Sequence, residues 1–206
     1  MKYPPDWDQE YTHLKEGQTL LWETGEPEES ITCLIHSMIS KPGKALDIGC
    51  GQGTDLFFLI DEGLTVIGCD ISFPALAVAA GRAGRRSALL VQCDTLMLPF
   101  KTRSFDFVND RGCFHHINPL LRDTYSREVA RVMGPAGTFL LRTFSENYFR
   151  QGGRGYELRR AEIDSLFSPH FSIEALSDYT SYVDSIPVAM RWTLMKRRTG
   201  GGQYVM

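Results

Sequence analysis

The sequence predicts an α/β fold in which a doubly wound, mostly parallel sheet carries helices on both faces. Short apolar runs rich in β-branched residues alternate with segments of helical periodicity between residues 28 and 144, which is typical of βαβ units. Right-handed crossovers then make the sheet doubly wound. The length of 206 residues and the 43% hydrophobic content are those of one globular domain.

The first predicted element is a helix, because "EESITCLIHSMIS" places its apolar residues on one helical face and "KPG" ends it. The first strand is predicted at "KALDI". The helix "TDLFFLIDE" follows, and Gly63 closes it as a C-terminal cap.

The next elements repeat this order. The β-branched, apolar "TVIGCD" predicts the second strand. Ser72 caps the helix that follows, with Pro74 in its first turn. "ALLVQCD" and "SFDFVND" predict the third and fourth strands.

The last parallel unit runs to Phe144. "LLRDTYSREVARVM" has helical periodicity, "GPAG" predicts a turn and "TFLLRTF" predicts the fifth strand. A polar, glycine-rich stretch, residues 145–160, comes next.

The pattern changes in the C-terminal part. A short helix is predicted at "AEIDSLFS", and "FSIEALSDY" and "RWTLMKR" predict an antiparallel strand pair at one sheet edge. We therefore expect one domain over residues 1–198 and a disordered tail over residues 199–206.

Composition excludes several classes of function. A net charge of -3 and a pI near 6.0 argue against a nucleic-acid partner. The absence of an apolar run near the ~20 residues that span a bilayer, or of a signal peptide, predicts a cytoplasmic protein without a membrane partner. Five scattered cysteines without metal-ligand spacing predict reduced thiols and no metal. Four are expected to be small buried hydrophobes, and Cys113 is left open.

The segment "ALDIGCGQGTDLFFL" places glycines at alternate positions, Gly49, Gly51 and Gly53, after the first strand. Glycine permits φ > 0 and close approach to a ligand. The dinucleotide pattern G-x-G-x-x-G fails because position 54 is Thr, and no Gly-Lys-Ser/Thr of a phosphate loop follows.

Acidic residues stand at the carboxyl ends of the first four strands, where open α/β sheets bind ligands. Asp47 suits an amine, Asp70 a ribose diol, and Asp94 an exocyclic adenine amine. An adenosine joined to a zwitterionic amino acid, without phosphate, meets these demands. The sequence therefore predicts S-adenosyl-L-methionine as the cofactor and S-adenosyl-L-homocysteine as its product.

The stretch from Lys44 to about Leu141 resembles the class I S-adenosylmethionine-dependent methyltransferases. Four of their motifs have counterparts in "ALDIGCGQGTDLFFL", "VIGCDIS", "VQCDTLMLPF" and "SFDFVNDRGCFHHI". The resemblance implies a Rossmann-like sheet of seven strands whose last strand is antiparallel and inserted near the edge. It also places Asp110 at the methionine end of the cofactor.

A narrower resemblance connects the chain to the thiopurine, thiol/halide and tellurite-resistance methyltransferases. It rests on "DWDQEYTHLKEGQTLLWETGEPEES", "DRGCFHHINPLLRDTY" and "GYELRRAEIDSLFSPHFSIEAL". Leu21, where proline is common, and the double histidine depart from that pattern. The resemblance implies that residues 1–30 form a cap segment over the active site.

The predicted cofactor-binding residues are Trp22, Asp47, Gly49, Cys50, Gly51, Gly53, Asp70, Ile71, Asp94, Thr95, Asp110 and Arg111. Arg111 is expected either to pair with Asp110, as a structural ion pair, or to attract an anionic acceptor.

His115 and His116 follow the fourth strand, where an acceptor would lie, and are the candidate catalytic residues. In extended structure adjacent side chains point opposite ways, so at most one should face the cavity. The predicted acceptor-site residues are Tyr11, Trp22, His115 and Tyr156.

These residues predict methyl transfer to a small-molecule acceptor, with a thiol, chalcogen or halide favoured. The alternatives are O- or N-methylation of a metabolite with a histidine base, a non-catalytic cofactor-binding partner subunit and, third among enzymes, nucleic-acid or protein methylation. We expect a monomer or weak homodimer.

Overall fold

The computed structural model describes residues 4–12, 20, 22–23, 25–38, 43–153, 155–183 and 186–199. Its helices are α1 (Trp7–Thr12), α2 (Glu29–Ser37), α3 (Thr54–Asp61), α4 (Phe73–Arg82), α5 (Arg122–Val132), α6 (Glu146–Arg150) and α7 (Arg160–Phe167). Its strands are β1 (Lys44–Ile48), β2 (Thr65–Asp70), β3 (Leu89–Gln92), β4 (Phe105–Arg111), β5 (Met133–Phe144), β6 (Phe171–Val183) and β7 (Ile186–Arg197). Two single 3₁₀ turns, Phe114–His116 and Pro119–Leu121, follow β4. None of the described helices has the length and apolar character to cross a membrane.

The seven described strands form one sheet in the order β3-β2-β1-β4-β5-β7-β6. The strands β1 to β5 pair in parallel, whereas β7 is antiparallel to both β5 and β6. The predicted seven-stranded, mostly parallel sheet with an antiparallel strand near its edge is confirmed. The strand order reverses between β1 and β4, so ligands are expected at the carboxyl ends of these two strands.

Local sequence signals fix several boundaries of the first half. β1 and β2 coincide with the predicted "KALDI" and "TVIGCD". Gly63 follows α3 with φ +89°, a left-handed conformation that ends helices and that glycine adopts without steric cost. The Ser72 hydroxyl accepts a hydrogen bond from the Ala75 N–H at 3.3 Å, which confirms the predicted cap of α4.

Two local predictions differ from the structure. The predicted turn "GPAG" lies inside β5, where the pairing with β4 shifts and Ala136 has φ +59°. These residues bulge from the ladder without reversing the chain. The short helix α6 lies in the polar stretch 145–160, for which no helix is predicted. Within the predicted tail, residues 200–206 fall outside the described residues.

Each face of the sheet packs against its own helices. On one face, α5 and α7 contribute Tyr125, Val129 and Phe167 to the larger apolar core. On the other, α2 and α3 contribute Ile35 and Leu56 to a second core. Helices therefore cover both faces, as the doubly wound prediction requires.

A smaller cluster joins the N-terminal segment to α4. Tyr11, Leu20 and Ala75 are buried together, and Trp7 packs against them. This small core fixes α1 at the carboxyl edge of the sheet.

A buried ionic network lies between the sheet and helices α2 and α3. Arg142 on β5 is fully buried and donates to Asp55 of α3 and to Asn109 Oδ1 on β4, the latter at 2.5 Å. Asn109 donates to Asp47 Oδ1 at 2.6 Å and to Asp55 at 3.1 Å. Burial, with repulsion from Asp55, raises the pKa of Asp47. Burial alone would also raise the pKa of Asp55, but Arg111 and Arg142 lower it.

Glu28, just before α2, extends the network to the far edge of the sheet. Its Oε2 accepts hydrogen bonds from the Tyr179 hydroxyl at 2.7 Å and from Arg142 Nη1 at 3.4 Å. Its Oε1 accepts from the Ser181 hydroxyl at 3.1 Å. One carboxylate thus connects α2, β5 and β6.

Removing the central cation should destabilise the protein strongly. In Arg142→Leu, buried Asp55 loses its main partner, and we expect a loss of about 3–5 kcal/mol of unfolding free energy, measured by urea denaturation. The control is Arg127→Ala, which removes only an exposed ion pair within α5 and should leave the midpoint nearly unchanged. Equal midpoints for the two variants would contradict a structural role for the network.

Candidate functional site

The loop between β1 and α3 has a left-handed backbone at three alternate residues, with φ +63° at Gly49, +53° at Gly51 and +89° at Gly53. Space is also restricted. A Cβ at Gly49 would lie 2.6 Å from the Cβ of Cys113, and one at Gly51 would lie 2.7 Å from Oε1 of Glu23. Glycine is required by both conformation and packing. The loop is enclosed between the segment after β4 and the N-terminal segment.

Asp70, at the carboxyl end of β2, holds the loop from the side. Its Oδ2 accepts a hydrogen bond from the Gly51 N–H, and its Oδ1 accepts one from the Ser72 N–H, each at 2.9 Å. Burial raises the pKa of this carboxyl, although these backbone donors act in the opposite direction. Each carboxylate oxygen has two lone pairs, so Asp70 can still accept from the hydroxyls of a ribose.

Three carboxyl groups surround the middle of the loop. Burial raises the pKa of the Cys50 thiol, and the nearby charges of Asp47, Asp70 and Glu23 raise it further. The carboxylates of Asp70 and Glu23 favour a cationic ligand such as a sulfonium and disfavour phosphate groups. The loop therefore fits the predicted methyl donor.

The predicted adenine contacts lie beside the loop at β2 and β3. Ile71 is 50% exposed, which is unusual for an isoleucine next to a buried strand. Asp94 is exposed, and its Oδ1 accepts a hydrogen bond from the Leu96 N–H at 2.8 Å. Thr95 is buried and hydrogen bonds to the Cys113 side chain. An apolar side chain next to an accessible carboxylate is compatible with an aromatic base that carries an amine.

Asp110, at the end of β4, has an internal structural role. Its carboxylate accepts hydrogen bonds from the Cys113 N–H at 2.9 Å, the Phe114 N–H at 3.1 Å and the Tyr125 hydroxyl at 2.5 Å. Burial raises its pKa to about 6. Its predicted contact with the cofactor stays a prediction.

Arg111 forms a different ion pair from the one expected with Asp110. Its Nη1 lies 3.4 Å from Asp55 Oδ1 and also donates to the Glu26 carbonyl at 3.5 Å. The side chains of adjacent residues on β4 point to opposite faces, so Asp110 faces α5 whereas Arg111 faces α3. The structural ion pair is present with another partner.

The two histidines contradict the expectation of extended structure. Phe114–His116 is a 3₁₀ turn, and the imidazoles of His115 and His116 meet, with ring centroids 4.4 Å apart and Nε2 atoms 3.1 Å apart. A tight turn rotates successive side chains by roughly 120°, which allows this contact. The prediction that adjacent side chains point opposite ways is therefore wrong.

Hydrogen bonds assign the protons on this histidine pair. Burial, together with His116 and Arg122, holds the pKa of His115 well below its usual value, and burial lowers the pKa of His116 to about 4. Both rings are thus neutral at pH 7. The Phe144 N–H donates to His115 Nδ1 at 3.1 Å, so the His115 proton is on Nε2 and is donated to His116 Nε2. His116 then carries its proton on Nδ1.

An aromatic wall connects the histidine pair to the glycine loop. His115 stacks on Phe144 at 3.9 Å, and His116 meets the edge of Trp7 at 4.7 Å. Trp7 lies 5.9 Å from Trp22, whose Nε1 donates to the Tyr11 hydroxyl at 3.4 Å. Trp22 is 43% exposed. The described N-terminal residues thus lie beside the loop, and their predicted roles as a cap and in the acceptor site stay predictions.

The remaining predicted residues are Tyr156 and the cysteines. The Tyr156 carbonyl accepts from Arg122 Nη2 at 3.3 Å, which anchors its loop to α5, and its role toward an acceptor stays a prediction. Cys113 packs against the glycine loop. Cys33 is exposed, so the expectation of a buried hydrophobe is wrong for this residue.

Sequence reasoning missed Glu23, whose carboxylate contacts the glycine loop. It also missed the Asp55–Arg142 pair and the stack of Phe144 on Tyr148 at 3.8 Å. The sequence drew attention to one residue near these contacts, because Thr54 stands where the dinucleotide pattern has its third glycine. Its hydroxyl donates to Glu23 Oε2 at 3.1 Å, a contact across 31 residues that no local pattern predicts.

A cleft of about 370 Å³ lies beside α3, and none of the predicted acceptor residues lines it. Gly25, Thr54, Phe57, Arg82 and Arg86 are among the residues that line it. Arg86 there makes two hydrogen bonds with Asp61, each at 2.7 Å, so its charge is already paired.

The depressed pKa of His116 predicts a loss of stability in acid. The unfolded ring binds a proton near pH 6.5 and the folded ring near pH 4, so this stability is present above pH 6.5 and is lost between pH 6.5 and 4, by up to about 3 kcal/mol. His116→Gln removes this contribution, and its stability relative to the unmodified protein should rise as pH falls. Urea midpoints from pH 7 to 4.5 measure the difference, with His36→Gln as the surface control. A constant difference across this range would contradict the assignment.

The central part of the chain matches a known protein family. Residues 46–141 match the family model described as "Methyltransferase domain". The 2-heptyl-1-hydroxyquinolin-4(1H)-one methyltransferase of Mycobacteroides abscessus is 25% identical over 167 residues, which are 79% of this chain and 73% of that protein. Probable thiol methyltransferase 2 of Arabidopsis thaliana is 26% identical over 76% of this chain and 70% of that protein. The chain spans only 22% of the mouse probable tRNA methyltransferase 9B, with 32% identity over 103 residues.

Solved structures support the same fold. An S-adenosylmethionine-dependent methyltransferase from Methanosarcina mazei has a TM-score of 0.75 at 19% identity, over 85% of this chain and 100% of that chain. The 1,6-didemethyltoxoflavin-N1-methyltransferase of Burkholderia thailandensis, solved with 1,6-didemethyltoxoflavin and S-adenosylhomocysteine, has a TM-score of 0.68 at 22% identity, over 82% of this chain and 77% of that chain. S-adenosylmethionine is the cofactor. The chain therefore has the fold of the S-adenosylmethionine-dependent methyltransferases, and its residues 46–141 match a methyltransferase domain.

Proposed function

We propose that this methyltransferase acts on the sulfur of a small-molecule thiol, with chalcogen and halide ions as related acceptors. The observation that carries the proposal is the proton arrangement of the histidine pair. The lone pairs of His115 Nδ1 and His116 Nε2 both accept internal hydrogen bonds, so neither is placed to take a proton from an acceptor. A thiol with a pKa of ~8.5 is ionised to a few per cent at neutral pH and needs no base.

A heteroaromatic hydroxyl is the second candidate acceptor. The stack of His115, Phe144 and Tyr148, with ring centroids 3.9 and 3.8 Å apart, supports it because a flat acceptor can extend such a row. The mycobacterial relative, a hydroxyquinolinone methyltransferase, supports it as well. A hydroxyl that is not acidic would need a base, and one of the histidines would then have to release its internal hydrogen bond.

The residues proposed to hold the donor lie on three sides of the glycine loop. When bound, the donor would supply an electrophilic methyl group on a sulfonium, with S-adenosylhomocysteine as the leaving group once the acceptor has taken the methyl. Asp70 accepts from the ribose hydroxyls, Asp94 accepts from the adenine amine, and Ile71 packs against the base. Trp22 and Tyr11 limit the access of water, and much of the catalysis consists of such positioning.

A non-catalytic, cofactor-binding partner subunit is the remaining alternative. Incubation of the pure protein with labelled donor and a panel of thiols distinguishes it, because tight donor binding without transfer would favour the subunit. We also propose that the protein is a monomer or weak homodimer. A nucleic-acid partner is disfavoured because the net charge of the chain is -3.

Asp70→Asn should weaken the binding of S-adenosylhomocysteine by roughly 100-fold, because charge-assisted hydrogen bonds to two hydroxyls are lost. The amide keeps one acceptor for the backbone donors, so the fold should persist. Isothermal titration calorimetry measures the affinity. Asp106→Asn is the matched control, because Asp106 caps the Lys44 N–H at the opposite edge of the sheet. Unchanged affinity in Asp70→Asn would refute the assignment.

The acceptor proposal predicts that His116→Gln keeps turnover of a thiol within about threefold. If a hydroxyl acceptor depends on the histidine pair as a base, its turnover should fall by roughly 100-fold in the same variant. Steady-state rates with the labelled donor and both acceptor classes measure this split. Equal losses for both acceptors would contradict the thiol proposal.

A further inference from the structure

Glu23 places a carboxylate directly against the glycine loop. The side chain is 9% exposed. Its Oε1 accepts a hydrogen bond from the Gln52 N–H at 3.1 Å, and its Oε2 accepts one from the Thr54 hydroxyl at 3.1 Å. Both oxygens of this buried group therefore point at the turn that leads into α3.

These contacts lie at the turn where dinucleotide-binding folds hold a phosphate group. In dinucleotide-binding folds, backbone N–H groups of the glycine-rich turn and the start of the following helix hold the pyrophosphate. Here Gln52 N–H, at that turn, is already occupied by the protein's own carboxylate. Thr54, at the third glycine of the dinucleotide pattern, supplies the second hydrogen bond to it.

We propose that Glu23 is a specificity-determining residue that acts as an internal anion. It occupies the backbone donor that a phosphate would use, and it adds a negative charge beside Asp70. Phosphate-bearing nucleotides are excluded by occupancy and by repulsion, whereas the phosphate-free, cationic methyl donor is admitted. This inference concerns the choice of cofactor, so it does not depend on the acceptor proposed above.

The same contact links the N-terminal segment to the loop. Next to Glu23, Trp22 donates to the Tyr11 hydroxyl, and that hydroxyl would lie 2.8 Å from a Cβ at Gly51. The segment that encloses the cofactor site therefore also carries the residue that selects the cofactor.

The test compares adenosine with ADP, which differ only in the phosphate groups. Calorimetry should show that the unmodified protein binds S-adenosylhomocysteine and binds ADP no better than adenosine. In Glu23→Ala, the ratio of ADP to adenosine affinity should rise by at least ~10-fold, because a backbone donor is released and one negative charge is removed. Glu23→Gln should show a smaller rise, because its amide oxygen still accepts from Gln52.

Two further variants separate charge from packing. Thr54→Val removes one hydrogen bond but keeps the carboxylate, so its affinity ratio should stay near that of the unmodified protein. Glu29→Ala removes an exposed acid of the first turn of α2 and should not change the ratio. Thermal unfolding checks that each variant is folded, and Glu23→Gln keeps the test available if Glu23→Ala unfolds.

Two results would overturn the proposal. One is an unchanged affinity ratio in the folded Glu23 variants. The other is a rise in Thr54→Val equal to that in Glu23→Ala. Weak binding of S-adenosylhomocysteine to the unmodified protein would instead count against the cofactor assignment itself, so the two failures are distinguishable.

Discussion

Backbone N–H groups at the carboxyl edge of the sheet need acceptors, and the protein supplies them from its own carboxylates. Asp70 accepts from Gly51, Glu23 accepts from Gln52, and Asp110 accepts from Cys113 and Phe114. A buried N–H without a partner costs about 1–3 kcal/mol, so these acids stabilise the turns they contact. They also concentrate negative charge at one edge. The carboxylates that hold the loop would therefore also favour a positively charged cofactor.

The acidic residues differ in how far their charge is neutralised, because arginines form ion pairs with some of them. Asp55 pairs with Arg142 and Arg111 on the α2–α3 side of the sheet, and Glu28 joins the same network. Glu23 and Asp70 are instead held by backbone and hydroxyl donors in the described part of the chain. Their charge is therefore less neutralised, and it is these two that lie closest to the glycine turn.

Signals confined to a few neighbouring residues predicted the structure well. β1, β2, the Ser72 cap and Gly63 follow from alternation and cap chemistry, which act over one or two turns. The histidine contact depends on the 3₁₀ turn Phe114–His116, which no local pattern in the sequence predicts. The contact of Glu23 with Thr54 joins two distant segments of the chain. A single sequence does not reveal which distant segments come into contact. The local conformation of the glycine loop could therefore be predicted from the sequence, whereas the contact between the two histidines could not.

The hydrogen bond from the Phe144 backbone to His115 bears on how the protein can evolve. The donor is a main-chain N–H, which every amino acid except proline has. Any of the other nineteen amino acids at position 144 could therefore donate the same hydrogen bond and keep the same histidine tautomers. The aromatic ring is thus free to be exchanged for a smaller or more polar one. New acceptors could be accommodated by reshaping this wall while the histidine tautomers remain as they are.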